Sequence, residues 1–165
     1  MIISGYQGIG KSTVCNSSIK YIDLESSNFW IEDENGERIR QPYWYKEYCN
    51  LAIDLSNHGY TVFVSSHKEV REYLAKADKG DSYLYMVYPD VSLKDEWICK
   101  LQKRYDESKS SKDLRALEHA EKLFENDYEE FSKEIIGEKN TQRVKIKDIN
   151  YDLKYLIWKL TVNLV

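Results

Sequence analysis

The sequence predicts an α/β fold: a mostly parallel five-stranded sheet with helices on both faces, a three-layer α/β/α arrangement. Three observations carry this. Short apolar runs alternate with helical patterns along the whole chain. The run 82–88 (S-Y-L-Y-M-V-Y) is apolar almost throughout, as a strand buried on both faces must be. And 165 residues with no linker or internal repeat make one domain, 1–165.

The elements follow in order. Ile2-Ile3 opens the first strand, and Lys20 to Leu24 is the second. The polar stretch Glu32 to Arg38 is a loop or tight hairpin. Trp44, Tyr48, Leu51, Ala52 and Leu55 recur at helical spacing, and that helix stops near Gly59. Tyr60 to Val64 is β-branched and aromatic, the third strand, with a helix starting near His67. Ser82 to Tyr88 is the fourth strand, halted by Pro89, which has no N–H for a ladder. Leu93, Trp97, Ile98 and Leu101 mark another helix. Asp106 to Lys112 has no apolar residue to anchor it and reads as a loop. Leu114, Leu117, Phe124, Tyr128, Phe131 and Ile135 lie on one face of a long helix that ends before Gly137. Arg143 to Ile146 is an edge strand, and Leu153, Leu156, Ile157 and Leu160 complete a terminal helix.

Composition narrows the function. Lys+Arg 24 against Asp+Glu 28 gives −4, so coating of a nucleic-acid duplex is disfavoured. No apolar stretch approaches the ~18 residues of a membrane span, and the opening Met1-Ile2-Ile3-Ser4-Gly5 is no secretory signal. Cys15, Cys49 and Cys99 lie far apart, with no metal-ligand spacing; they suit a reducing cytoplasm and are expected as small buried hydrophobes.

Residues 5–12, Gly5-Tyr6-Gln7-Gly8-Ile9-Gly10-Lys11-Ser12, fill every fixed position of G-x-x-x-x-G-K-[ST], between an apolar strand and a helical pattern. Chance supplies such a match about once in 200 chains of this length. The glycines let successive backbone N–H groups, Ile9 among them, point into one concavity, where a helix start adds its unpaired amides. Lys11 reaches the β- and γ-phosphates of ATP, the Ser12 hydroxyl is a ligand for Mg²⁺, and Thr13 lies near the α-phosphate.

With this motif the chain resembles the nucleotide and small-metabolite kinase branch of P-loop proteins (adenylate, thymidylate, shikimate and gluconate kinases). Asp23-Leu24-Glu25-Ser26-Ser27-Asn28-Phe29, Val64-Ser65-Ser66-His67-Lys68, and Val87-Tyr88-Pro89 with Leu93-Lys94 look more specifically like small phage-encoded members of that branch. The resemblance covers about residues 1–135. It implies a P-loop NTPase fold with strand order 2-3-1-4-5, an acceptor-binding segment at about 25–58 and a lid at about 104–115. It also implies Mg-dependent phosphoryl transfer from ATP to a small acceptor, a (deoxy)nucleoside monophosphate first, in the cytoplasm of a phage's host, by a monomer or homodimer.

Candidate residues follow. Asp23 and Glu25 stand at the carboxyl end of the second strand, where ligands of open α/β sheets collect. A carboxylate there holds Mg²⁺ through water or takes the acceptor's proton; by position the resemblance favours Asp23 for this, with Glu25 on the acceptor. It further implies that Arg71 grips an acceptor phosphate, that Arg38 and Arg40 border the acceptor, and that Arg104, then Arg115, closes over the transferred group. Phe29, Trp30, Tyr43, Trp44 and Tyr45 either stack a base or pack the interior. Lys100 and Lys103 read as a solvated helix face. The third strand ends Val64-Ser65-Ser66 without the usual Asp, which departs from motor ATPases and GTPases. Two alternatives stay open: a kinase of another acceptor (nucleoside, sugar acid or nucleic-acid 5′ end), or an ATP-binding switch that presents a surface to a partner.

Overall fold

A computed structural model describes residues 1–133 and 140–162. In chain order its elements are β1 (Ile2–Gly5), α1 (Lys11–Cys15), β2 (Tyr21–Asp23), β3 (Trp30–Glu32), β4 (Arg38–Arg40), α2 (Trp44–Asn57), β5 (Thr61–Val64), α3 (Lys68–Lys76), β6 (Leu84–Pro89), α4 (Lys94–Ser108), α5 (Ser111–Lys133), β7 (Thr141–Ile146) and α6 (Leu153–Val162).

The five apolar runs pair into one sheet, and every pairing in it is parallel. By chain number its order is β2-β5-β1-β6-β7. The expected 2-3-1-4-5 counts five strands, whereas residues 30–40 add a separate antiparallel hairpin, β3–β4, that takes two numbers. Counted over the five runs alone, the order reads second, third, first, fourth, fifth. The hairpin turn is held by Asp33, whose Oδ1 accepts from the amides of Asn35 (2.9 Å) and Glu37 (2.8 Å), while Gly36 takes φ 78°. Pro89 does not stop β6 but is its last residue, opposite Ile146 of the edge strand β7.

β1 is wholly buried, paired as Ile2 with Val62 on one side and Leu84 on the other. Helices flank this sheet, an arrangement compatible with three α/β/α layers: α2 packs with α3, α1 with α6, and α4 with α5. Parallel strands send all their carboxyl ends to one edge, so the segments after Gly5, Asp23 and Val64 meet there. Tyr6, just beyond β1, packs edge-on against Phe124, Phe131 and Trp97 with centroids 5.6, 6.2 and 6.3 Å away, which ties α4 and α5 to that edge.

Two expectations are corrected. Residues 106–112 are not a loop: α4 runs to Ser108, Lys109 takes a left-handed φ of 50°, and α5 starts at Ser111. Polar contacts replace the missing apolar anchor. Asp106 accepts from Gln102 (3.1 Å) and Lys109 (2.9 Å), and Asp113 accepts from Ser108 Oγ (2.5 Å). Residues 104–115, the expected lid, therefore form a helical corner. Of the cysteines, Cys49 is buried and Cys15 half-buried, but Cys99 is exposed. Ile135 and Gly137 lie outside the described residues. Among the described residues, no helix is long and apolar enough to cross a membrane.

Candidate functional site

The loop between β1 and α1 is held from behind. Trp97 Nε1 donates to the Gln7 carbonyl (2.9 Å) and the Tyr151 hydroxyl to the Ile9 carbonyl (2.6 Å). The two rings stack with centroids 6.1 Å apart and planes 6° from parallel. Each such bond contributes about 1 kcal/mol, and together they fix the loop's curvature. Gly8 and Gly10 adopt φ 83° and 97°, which L side chains rarely do. A Cβ on Gly8 would also lie 2.9 Å from Leu101 Cδ2 and 3.2 Å from Trp97 Nε1. Only the Ile9 amide turns back, to the Tyr6 carbonyl at 3.4 Å; those of Gly8, Gly10, Lys11, Ser12 and Thr13 have no protein acceptor among the described residues. Helix α1 has five residues, so open amides rather than a long dipole make this nest electropositive.

The nest is the floor of a cavity of about 580 Å³ at the carboxyl edge of the sheet. Gly5, Gly8, Ile9, Gly10, Lys11, Ser12 and Thr13 all line it. One wall comes from strand ends: Asp23, Leu24, Glu25 and Ser26 after β2, and Ser65, Ser66 and His67 after β5. The other comes from the helical corner: Lys100, Leu101 and Arg104 on α4, and Lys112, Arg115, Ala116 and His119 on α5. In a chain of net charge −4, five Lys and Arg side chains and two carboxylates line this cavity.

No family model and no curated protein matches this chain.

The strand-end wall is held by Tyr48, whose hydroxyl donates to the Leu24 carbonyl (2.7 Å) and accepts from the Ser65 amide (2.8 Å). Ser4 Oγ donates to the Ser65 carbonyl at 3.2 Å, so the ends of β1, β2 and β5 form one unit. Lys11 Nζ lies 3.9 Å from Asp23 Oδ1. Burial pulls the Lys11 ammonium below its usual pKa, against the opposing pull of Asp23 and Glu25. Its charge is thus poised for an anion, which would restore the lost solvation.

Arg40 Nη1 lies 3.2 Å from His67 Nε2. Arginine only donates, so Nε2 accepts, and Nδ1 carries the proton given to Ser65 Oγ at 2.8 Å. Burial, then the neighbouring Arg40 charge, lowers the His67 pKa and keeps the ring neutral.

On the corner wall, Arg104 Nη2 is 2.5 Å from Asp113 Oδ1, and Lys112 Nζ reaches across to Glu25 Oε1 at 2.6 Å. Burial raises the Asp113 pKa, but hydrogen bonds from Ser108 and Ser110 and the Arg104 charge outweigh it, and the carboxyl stays below its usual range. Lys100 sits over Trp97 (4.6 Å) and Tyr151 (5.0 Å), the rings that brace the loop, and burial lowers its pKa. His119 Nε2 is 2.8 Å from Asp127.

The structure gathers the loop residues, Asp23, Glu25, Arg104 and Arg115 around the cavity, but treats Arg71, Arg40 and Arg38 differently. Arg71 is 3% exposed and outside the cavity lining. It donates to the Ser66 carbonyl and to Glu130 (3.1 Å), and its guanidinium lies 4.3 Å from the Phe131 ring centroid. Arg40 also stays behind the lining, between Trp30 (4.7 Å) and Trp44 (4.1 Å), and reaches Ser26 Oγ at 3.4 Å. Arg38 belongs to β4, but its side chain lies outside the described ones. Phe29, Trp44 and Tyr48 pack on one another at 5.4–6.2 Å as interior residues, while Tyr43 is exposed.

Sequence reading missed Lys112 and His119 and took Lys100 for a solvated cation. A signal existed: Lys112, Arg115 and His119 recur at three- and four-residue steps, one face of a helix. It was hidden by reading 106–112 as a loop.

Proposed function

We propose that this chain transfers the γ-phosphoryl group of ATP, with Mg²⁺, to a small hydroxyl-bearing acceptor. One observation carries the reading. A G-x-x-x-x-G-K-S loop, five of whose amides have no protein acceptor among the described residues, faces a wall of four cations across a cavity whose third side bears carboxylates. Spread negative charge on a transferring phosphoryl group is what such donors stabilise, and phosphoryl transfer asks mostly for that and for positioning.

In this reading Lys11 and the loop amides hold the donor's phosphates, and Arg104, Lys100 and Arg115 cover the transferred group. Among the described residues no group of three or more His, Cys, Asp and Glu could hold a metal ion. Magnesium does not need one, because it keeps waters and shares phosphate oxygens; the Ser12 hydroxyl and the Asp23 carboxylate are the residues that would hold it. Bound there, it would supply charge neutralisation. Asp23, near Lys11, also takes the acceptor's proton. The nucleoside-monophosphate acceptor expected from the resemblance would need a cation on the strand-end wall, and Arg71 is engaged elsewhere.

The second reading, a nucleotide-gated switch, is favoured by one contact. Lys112–Glu25 bridges the two walls, so a nucleotide that competes for Lys112 would alter the closure.

Calorimetric titration with ATP and Mg²⁺, with an ADP-release assay, tests the proposal. The wild type is expected to bind ATP, and Lys11→Ala to weaken binding and turnover at least a hundredfold. Equal ATP affinity in both proteins would overturn it, whereas tight binding with no turnover on any acceptor would favour the switch.

A further inference from the structure

We infer that the phosphoryl acceptor is an uncharged hydroxyl compound, a nucleoside or a sugar, and not a phosphomonoester. The inference rests on the phosphoryl-transfer reading above and names the class of acceptor for that same cavity.

The asymmetry of the two walls carries it. Among the described side chains, no Lys or Arg belongs to the strand-end wall; its charged members are Asp23 and Glu25. A phosphomonoester carries nearly two negative charges at neutral pH and is held in proteins by Arg, Lys or clustered amides. Here it would face two carboxylates that already occupy the nearest cations, Asp23 beside Lys11 at 3.9 Å and Glu25 on Lys112 at 2.6 Å. Among the described side chains, the arginines nearest this wall, Arg71 and Arg40, lie outside its lining. Arg71 spends its donors on Ser66 and Glu130 in the interior. Arg40 lies over the Trp30 and Trp44 rings and gives its Nη groups to His67 and Ser26, and its Nε is buried with no partner among the described residues. His67 adds no charge, because its Nε2 accepts from Arg40.

What the wall does offer suits hydroxyls. Carboxylates accept from O–H groups, and Ser26, Ser65 and Ser66 both donate and accept. Ser65 Oγ receives a proton from His67 Nδ1, which leaves its own O–H to be donated elsewhere. The lining cations, by contrast, belong to the floor and the corner wall, and Lys112, which reaches across, is held by Glu25.

In the reaction, the acceptor's hydroxyl oxygen bonds to the γ-phosphorus as the bond from that phosphorus to the β–γ bridging oxygen breaks. ADP leaves with the electron pair, and the hydroxyl proton passes to the Asp23 carboxylate. Glu25 binds a further hydroxyl and fixes which one is presented.

The test is a set of matched pairs: nucleosides and simple sugars, each against its own 5′- or 6-monophosphate, assayed by ADP release with ATP and Mg²⁺. The uncharged member of the productive pair is expected to have at least tenfold higher kcat/KM. Glu25→Gln should raise the acceptor's KM at least tenfold and leave the KM for ATP within twofold, a split that a general loss of structure would not produce. Equal use of both members, or preference for the phosphorylated one, overturns this inference while leaving phosphoryl transfer intact. Absence of ATP binding sensitive to Lys11→Ala is instead the failure of the underlying reading, and this inference falls with it.

Discussion

The two walls of the cavity are built by different physics. The strand-end wall takes its positions from sheet register. Asp23 and Ser65 stand where they do because β2 and β5 pair in parallel and stop together, with Tyr48 bonding both ends. The corner wall takes its positions from helix periodicity and from ion pairs, with Arg104 on Asp113 and Lys112 on Glu25. A sheet edge orients short side chains without tethers. A helical corner presents long, rotamer-rich cations that must be held by partners or by ligand. Function on the second wall is therefore easier to remove without loss of the fold.

Of the changes that separate the two walls, the largest effect should come from Arg104, which in the proposed reaction covers the transferred group. Arg104→Ala is expected to lower kcat about a hundredfold, in line with loss of one transition-state donor. Arg104→Lys should recover only part of this, since a point charge replaces a planar fork. An unchanged kcat in the alanine variant would remove the corner wall from the chemistry.

Arg71 offers the contrasting case. Its replacement by Ala should cost about 2 kcal/mol of stability in urea unfolding, by removing a buried guanidinium that bonds Ser66 and Glu130. Glu130, half-exposed, can rehydrate, which keeps the loss below that of a fully buried pair. ATP affinity should not change; a large loss of affinity with unchanged stability would return Arg71 to the site.

His67 sharpens the comparison through pH. Its folded pKa lies below the ordinary value of 6.5, so the unfolded chain takes up the proton first. Stability from its neutral state is full above about 6.5 and is lost as pH falls through the lowered folded value. Urea midpoints measured between pH 7.5 and pH 5 should fall less steeply in His67→Gln. Parallel curves would mean that Arg40 and His67 do not interact as described.

Lys112 should matter least to the fold. Its bridge to Glu25 joins two substantially exposed side chains, so Lys112→Ala is expected to change stability by less than about 1 kcal/mol in thermal unfolding. A larger loss would make the bridge a structural brace between the walls.

The glycine-rich loop of residues 5–12 was legible because its conformation is local. The glycines, Lys11 and Ser12 act through backbone conformation over eight successive residues, and a short strand before them suffices as context. The sheet was legible because burial on both faces leaves an apolar run, as in 82–88. The β3–β4 hairpin was half legible: Asp33 and Gly36 mark its turn, but three-residue strands are too short to show alternation. The α4–α5 corner was not legible as helix, because hydrogen bonds of Asp113 with Ser108 and Ser110, and of Lys109 to Asp106, stand in for the apolar anchor that periodicity detects.

Arginine roles were the least legible of all. Arg71 and Arg104 are alike as sequence, each a cation on a polar helix. Only the packed structure distinguishes them, since Glu130 and Phe131 close over one while the other faces the cavity. The sequence by itself determined the sheet's strands and the loop that offers open amides, because both depend on neighbours a few residues apart. The tertiary structure alone decided which charges share the cavity, because Glu25 and Lys112 are 87 residues apart and meet only when the strand ends and the helical corner fold onto the same edge.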